Sequence, residues 1–384
     1  MLEYASMDAN LENRVVVVGL SGGVDSAVAA LLLQDAGADV HALHMTNWED
    51  DDGYCEAAAD LQDARAICER LGIPLHHANF ARQYRERVFE YVLDEYRRGR
   101  TPNPDVLCNR ELKFGVFRDY AKRLGAEHLA TGHYARCRTV DSTVGLFKGV
   151  DHNKDQTYFL HAVSAEALAE TVFPLGDLDK AEVRTIARRH GLPVHDKKDS
   201  TGICFIGERP FREFLGKYLP AQPGAIVSPE GEHLGRHHGL MYYTLGQRQG
   251  LGIGGRADAA AGPWYVVDKR LADNTLVVAQ GNSELLLSDE LVTTDPAWIG
   301  APPAGLDGGF DCQAKIRYRQ DDQPCRVTAQ ADGAIRVSFE SPQRAAAPGQ
   351  FVVFYTGERC LGGAVIDRVL QRNRKESLPS AAAF

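Results

Sequence analysis

Residues 14–20 (RVVVVGL) run straight into Ser21-Gly22-Gly23-Val24-Asp25-Ser26, and an apolar helical stretch follows to Ala36. A continuous β-branched run has no polar face, as a strand buried on both sides requires. A Gly-rich turn between such a strand and a helix gathers backbone N–H groups and the positive end of the helix at one place. That sequence of strand, anion-binding turn and helix points to an open α/β sheet. Gly19, Leu20, Ser21, Gly22, Gly23, Val24, Asp25 and Ser26 are therefore the candidate phosphate loop. The Ser21 and Ser26 hydroxyls can donate to phosphate. Asp25 cannot attract it, and is expected to hold loop amides or a metal accompanying the pyrophosphate. The loop has no lysine of the Gly-Lys-Ser/Thr kind, which argues against a γ-phosphate cradle of the kinase or GTPase type. A plain Ser/Gly turn is the alternative, and the strand–helix setting disfavours it.

The same alternation continues. Residues 39–45, 75–80 and 127–131 read as strands; 24–36, 57–71, 83–98 and 111–124 read as helices, with Gly37 and Gly72 as C-caps. The expectation is a doubly wound parallel sheet of α/β class. A hairpin over 134–150 and helices between 154 and 190 follow. Residues 191–207 read as irregular, and 211–218 as a short helix. Beyond Pro220 short β-rich runs (264–267, 276–279, 313–319, 326–330, 335–339, 351–355) alternate with turn residues, the pattern of an all-β sandwich or small barrel. A Pro-, Gly- and Asp-rich stretch, 288–309, reads as a break. The expected domains are 1–215 (catalytic α/β), 216–288 (small, mostly β) and 289–384 (all β).

The chain carries 43 Lys+Arg against 52 Asp+Glu, a net charge of −9. That excludes a globally basic coat but not a local basic face. Arg97-Arg98-Gly99-Arg100, Arg118 with Lys122 and Arg123, Arg184 with Arg188 and Arg189, and Lys197-Lys198 are candidates to track phosphates. Taken singly, each reads more readily as a solvated helix face. No apolar run is long enough for a spanning helix, and the N-terminus reads as neither signal nor transit peptide, so a cytoplasmic protein without membrane contact is expected.

Eight cysteines, at 55, 68, 108, 137, 204, 312, 325 and 360, are too few for a disulfide framework, and no Cys-x-x-Cys suggests zinc. Two have distinctive settings. Cys108 follows Asn103-Pro104-Asp105 and precedes the helix expected at 111, whose N-terminus would favour thiolate. Cys204 follows Lys197-Lys198, which would do the same. Cys68, Cys312 and Cys325 read as core. Cys55 has no assignment, and the acidic run 49–52 reads as a solvated loop. Asp105 reads as a general acid or base, or as plain Asn-Pro-Asp turn chemistry.

SGGVDS after the first strand resembles the pyrophosphate-loop ATPases. With Asn103-Pro104-Asp105-Val106-Leu107-Cys108-Asn109, Thr131-Gly132-His133-Tyr134, Lys154-Asp155-Gln156-Thr157-Tyr158-Phe159 and Ser200-Thr201-Gly202-Ile203-Cys204-Phe205-Ile206, the chain from about Arg14 to about Asp367 resembles the tRNA-specific 2-thiouridylases. The resemblance implies an adenine-nucleotide α/β domain, a small central domain and a C-terminal β-barrel. It implies that ATP is cleaved between the α- and β-phosphates, with Mg²⁺ expected alongside although no ligands are legible. The oxygen at C2 of the wobble uridine (U34) in tRNAs for Lys, Glu and Gln would be replaced by sulfur. Cys204 would carry a persulfide, Cys108 would resolve it, and a disulfide between them would result. Asn103, Pro104 and Asp105 would meet the target base. Met45 and Gly132 would join the loop in holding the nucleotide. His133, Lys154, Asp155, Gln156, Arg317, Tyr318 and Gln350 would contact tRNA. The implied partners are tRNA and a protein persulfide donor, and a monomer is expected. Read from the residues alone, Met45 is also a core side chain, His133 a satisfied loop histidine, the 154–156 trio a helix cap, and Arg317-Tyr318 a solvated strand face. Two other readings stay open: a nitrogen-transferring member of the same superfamily, and a non-catalytic RNA-binding module.

Overall fold

The computed structural model describes residues 10–49, 56–140, 143–198, 211–253 and 262–370. Its first part holds β1 (Val15–Gly19), β2 (Asp39–Thr46), β3 (Leu75–Asn79), β4 (His128–Ala130), the hairpin β5 (Ala135–Val140) and β6 (Thr143–Lys148), and the two-residue β7 (Thr171–Val172). Five of these form one parallel sheet in the order β3-β2-β1-β4-β7. Val16, Val17 and Val18 are fully buried, as the unbroken β-branched run requires. Helix α1 (Val24–Asp35) is buried from Val24 through Leu33 apart from Asp25, and α2 (Glu56–Leu71) follows β2. Strand order reverses between β2 and β4 on either side of β1. Ligands of open α/β sheets bind at such a switch, outside the carboxyl ends of the strands. The loops after β1 and β4 meet there.

Two helical expectations need correction. The helix expected from 111 begins at Pro104. Asn103 is its N-cap and accepts from the Asp105 N–H at 3.2 Å, with Pro104 at the first helical position. Asn-Pro here is a cap and first-turn pair, not a free turn. The helix runs Pro104–Leu107, turns π-helical over Cys108–Phe117, and ends as Arg118–Arg123; Gly115 breaks the helical dihedrals at φ −110° and ψ −106°. The helix expected from 154 starts at Thr157 and covers Thr157–Leu160.

The central sheet combines β8 (Gly224–Val227), β9 (His233–His237), β10 (Trp264–Arg270) and β11 (Thr275–Gln280) in the order β10-β11-β8-β9, over a core of Ile226, Val266, Leu276 and Val278. The last part holds β12 (Leu287–Trp298), β13 (Phe310–Lys315), β14 (Gln323–Ala329), β15 (Ile335–Arg344), β16 (Phe351–Thr356) and β17 (Arg359–Leu370). These six close into a barrel in the order β12-β15-β14-β13-β16-β17, sealed by β12 against β17. The break read over 288–309 is therefore wrong in its first half, which is the twelve-residue strand β12. Its Asp295-Pro296 sits where the register with β17 slips between Thr294 and Ala297, and Asp295 has φ +50°. A bulge tolerates a proline and a left-handed residue that a regular ladder would not.

The hairpin β5–β6 does not join the parallel sheet. It extends the barrel, pairing Phe147 with Arg359 and Leu146 with Cys360. Arg136 reaches Glu358 at 3.1 Å and Asp177 at 3.5 Å, and buried Lys148 pairs with Asp322. One hydrophobic cluster accordingly runs from Leu107 and Phe117 through Leu146 and Tyr158 to Val353 and Tyr355. Burying a side chain of this size contributes roughly 1.5–3 kcal/mol. Among the described residues no helix is long and apolar enough to cross a membrane.

Candidate nucleotide and thiol site

The phosphate loop is organised by its own serines. Ser26 is buried; its hydroxyl donates to the Gly23 carbonyl at 3.0 Å and accepts from the Ser21 N–H at 3.2 Å. The Ser21 hydroxyl lies 3.2 Å from that of Ser26 and accepts from the Gly23 N–H at 3.3 Å. Gly22 alone of the loop glycines has positive φ, at +79°, and a Cβ there would lie 2.5 Å from the Asp60 carbonyl oxygen on α2. Leu20 is tied to β2: its N–H donates to the Leu43 carbonyl, and its carbonyl accepts from His44 Nδ1 at 2.8 Å. Burial is the main cause lowering the pKa of His44. Met45 is half-buried at the end of β2 and packs on the core, so both readings of it remain compatible with its place.

Asp25 does not serve loop amides as expected. One carboxylate oxygen accepts from the Tyr134 hydroxyl at 2.8 Å and from Lys180 Nζ at 2.6 Å. Lys197 Nζ donates to the Gly22 carbonyl at 3.2 Å, to Asp60 at 2.8 Å and to Asp63 at 2.6 Å. Two lysines from elsewhere in the chain thus bring positive charge to a loop without its own. Sequence reasoning missed Lys180 and placed Lys197 in a basic run; no local pattern pairs either with a loop so far away. Asp25 is engaged by a lysine, and among the described residues no three His, Cys, Asp or Glu side chains converge on a metal position.

Gly132 lies against the loop. A Cβ on it would be 2.8 Å from both the Asp25 carbonyl carbon and the Ser26 nitrogen. His133 is buried; its Nδ1 lies 2.7 Å from the Thr131 hydroxyl, and Lys113 Nζ donates to its Nε2 at 3.5 Å. Burial first, and Lys113 second, hold its pKa well below the ordinary histidine value, so the ring is neutral. Gln156 grips the next residue, exchanging bonds with the Tyr134 backbone at 2.9 Å through both its side chain and its own N–H. Lys154 is half-buried at the turn before it. Asp155 is 4% exposed and accepts from the Gly149 N–H and from the Thr157 N–H and hydroxyl. Its carboxylate is thus engaged by the Gly149 and Thr157 groups inside the fold.

Cys108 is 1% exposed, in the second turn of the Pro104 helix. Its N–H is already inside the helical bonding pattern, so the dipole argument made for it applies to Asp105 instead. Asp105 is half-buried in the first turn. Farther along the same helix, Lys113 and Phe114 meet His133, and Phe117 packs 3.4 Å from the Cβ position of Gly19. The helix that carries Asp105 and Cys108 thus lies along the switch point, with Cys108 ahead of Lys113 in the same π-helical stretch. Cys204 and Cys55 lie outside the described residues. Cys68 is buried as expected; Cys312 and Cys325 face each other across β13 and β14 with their sulfurs 3.7 Å apart.

Three family descriptions match in succession: "tRNA methyl transferase HUP domain" over residues 14–208, "tRNA methyl transferase PRC-barrel domain" over 212–280 and "Aminomethyltransferase beta-barrel domain" over 288–366. The tRNA-specific 2-thiouridylase MnmA of Pseudomonas savastanoi pv. phaseolicola is 58% identical over 362 residues, covering 94% of this chain and 96% of the relative. The chain belongs to the MnmA 2-thiouridylase family. Proteins of the same name from Hahella chejuensis (57% over 362 residues, 94% of this chain and 99% of the relative) and Pseudomonas fluorescens Pf-5 (55% over 374 residues, 97% and 98%) agree.

In this 2-thiouridylase family member the barrel residues named from sequence sit at a junction. Arg317, Gln350, Ala345, Thr244, Gly246 and Gln247 line a cleft of about 410 Å³ between barrel and central sheet. Arg317 donates to the Ala345 carbonyl at 2.8 Å. Tyr318 packs on Phe159 with ring centroids 4.5 Å apart. Gln350 Nε2 donates to the Thr101 carbonyl at 2.8 Å. The basic run 97–100 is drawn into ion pairs: Arg97 with Asp94, Arg98 with Glu95, and Arg100 with Glu95 and Asp367. Arg118 and Lys122 share Glu170.

Proposed function

We propose that this chain installs sulfur at C2 of the wobble uridine, U34, in tRNAs for Lys, Glu and Gln, converting one ATP to AMP and pyrophosphate. The observation that carries the reading is the 58% identity to a tRNA-specific 2-thiouridylase across 94% of the chain. An amide-like carbonyl does not give up its oxygen unaided. The C2 oxygen attacks the α-phosphorus of ATP held at the loop 19–26, and pyrophosphate leaves. Loop N–H groups and the start of α1 are the positive ends available to that charge, with Lys180 and Lys197 offsetting the carboxylates of Asp25, Asp60 and Asp63 beside the loop.

A persulfide on Cys204, loaded by a protein sulfur donor, adds its terminal sulfur to C2, and AMP departs with the former carbonyl oxygen. The Cys108 thiolate then attacks Cys204 Sγ. The S–S bond breaks, its electron pair stays on the sulfur at C2 as the thiocarbonyl forms, and a Cys108–Cys204 disulfide remains. A cellular dithiol reduces it for the next cycle. Asn103, Pro104 and Asp105 lie one turn before Cys108, where the target base would approach.

Cys108→Ser and Cys204→Ser are each expected to abolish 2-thiouridine formation, read by nucleoside mass spectrometry of the product tRNA. Thiolation surviving in either variant removes that thiol from the scheme, whereas a nitrogen-transferring relative would make no 2-thiouridine even as wild type. AMP and pyrophosphate are the expected nucleotide products; ADP would overturn the assignment of the loop.

A further inference from the structure

The peptide that leads into the Cys108 helix is held mainly from the barrel side. The Thr101 N–H donates to the Pro348 carbonyl at 2.9 Å. Gln350 Nε2 donates to the Thr101 carbonyl at 2.8 Å and to the Pro102 carbonyl at 3.3 Å. Arg100 donates to Asp367 at 2.9 Å and to the Ile366 carbonyl at 3.0 Å, and its Nε lies 2.8 Å from a carboxylate oxygen of buried Glu95. The backbones touch: Gly349 has φ +90°, and a Cβ on it would be 3.0 Å from the Thr101 nitrogen. The central region adds the Thr101–Thr244 hydroxyl pair at 3.4 Å.

The far side of Cys108 is tied to the barrel as well. Asn109 Nδ2 donates to the Phe159 carbonyl at 3.1 Å, the Phe159 ring packs on Tyr318, and the Tyr158 hydroxyl donates to the Phe351 carbonyl at 3.0 Å. Cys108 therefore lies between two points, Pro102 and Asn109, that are both fixed through the C-terminal barrel.

We propose that Gln350 is a positioning residue, which acts on the reaction through the Thr101 and Pro102 carbonyls by fixing the entry of the helix that carries Asp105 and Cys108. The barrel thereby sets where the thiol stands. A helix is stiff, so a displacement at its first turn is carried to the next, and a shift of about 1 Å at a reacting group costs up to about a hundredfold in rate. The proposal rests on the reading of Cys108 as a reacting thiol, but its first readout does not.

Gln350→Glu keeps the size of the side chain and replaces the donor with an acceptor facing two carbonyl oxygens. Three quantities separate a positioning role from an RNA contact: the iodoacetamide labelling rate of Cys108 by peptide mass spectrometry, tRNA affinity, and the kcat and KM of thiolation. We expect labelling to rise about fivefold or more, kcat to fall about tenfold, and tRNA affinity to stay within about threefold. Unchanged labelling and kcat with a raised KM would make Gln350 an ordinary RNA contact and overturn the proposal. Asp367→Asn weakens the same staple from its other end and is expected to move labelling and kcat in the same direction by a smaller factor; it decides the matter should Gln350→Glu lose its fold. Faster labelling in Gln350→Glu alongside full activity of Cys108→Ser would sink the thiol mechanism while leaving the staple intact.

Discussion

At Gly132 the spacing of two backbones leaves no room for a methyl group. The Cβ position is 2.8 Å from main-chain atoms of Asp25 and Ser26, which cannot swing aside as a side-chain tip could. Gly132→Ala must therefore push the first turn of α1 and the phosphate loop away from β4. A weakening of ATP binding by about tenfold or more is expected from calorimetry, with a folded protein by circular dichroism. Unaltered affinity would mean that the loop does not take the nucleotide. Gly22 faces a similar limit from Asp60, with a left-handed φ in addition. Asp25 shows how a residue's role depends on what reaches it. The loop's own carboxylate is neutralised by Lys180 from 155 residues away, so the loop presents its amides without a repelling charge beside them.

The helix from Pro104 is the element on which the proposed chemistry turns. Asn103 caps it, accepting from the Asp105 N–H, and Pro104 presets the first helical φ. Asn103→Ala should cost about 1 kcal/mol of stability through the lost cap, measured by urea unfolding. A contact made only with the target base would leave stability untouched and raise KM instead. The π-helical stretch Cys108–Phe117 and the break at Gly115 bring Lys113 and Phe114 to His133 and Phe117 to Gly19. Wide turns of this kind recur at functional sites because they redirect side chains without ending the helix. Around the phosphate loop, Lys197 joins three pieces, the loop, α2 and the 191–198 segment, and its partners Asp60 and Asp63 raise its pKa against the opposing effect of burial.

On the scale of the whole molecule, the hairpin β5–β6 leaves the α/β sheet and becomes part of the barrel, so the two share a core through Leu146, Tyr158 and Tyr355. Their stability should respond to pH as one. Burial is the leading cause that lowers the pKa of His44, His133 and His161, and in His161 it reaches about 4. The folded state keeps these rings neutral while the unfolded chain takes up protons near pH 6.5. Their stabilisation is thus complete above that pH and is lost as pH falls from about 6.5 toward 4. Asp155 and Glu95, raised by burial, act in the opposite sense, gaining stability as pH falls toward their ordinary values. His161→Gln should lose about 2–3 kcal/mol less than the wild type between pH 7 and 4.5 in urea unfolding. Parallel losses in the two proteins would show that His161 is not held neutral by the fold.

Everything legible in the sequence was local in the chain. The buried strand, the glycine turn and the helix after it could be read because their signals lie within about twenty consecutive residues, and the alternation that follows repeats the same periods. Cys108 and Asp105 stood out by their immediate neighbours, yet those neighbours misplaced the helix start, since Asn-Pro serves both turns and caps. The strand β12 was hidden by an Asp-Pro pair that only pairing with β17 could accommodate as a bulge. Lys180 at Asp25, Lys197 at Gly22 and Gln350 at Thr101 span 155, 175 and 249 residues. Contacts across such distances leave no periodic trace. They exist because closing the core brings the loop, the helix and the barrel together, and that closure alone decided which charges and which amide the site receives.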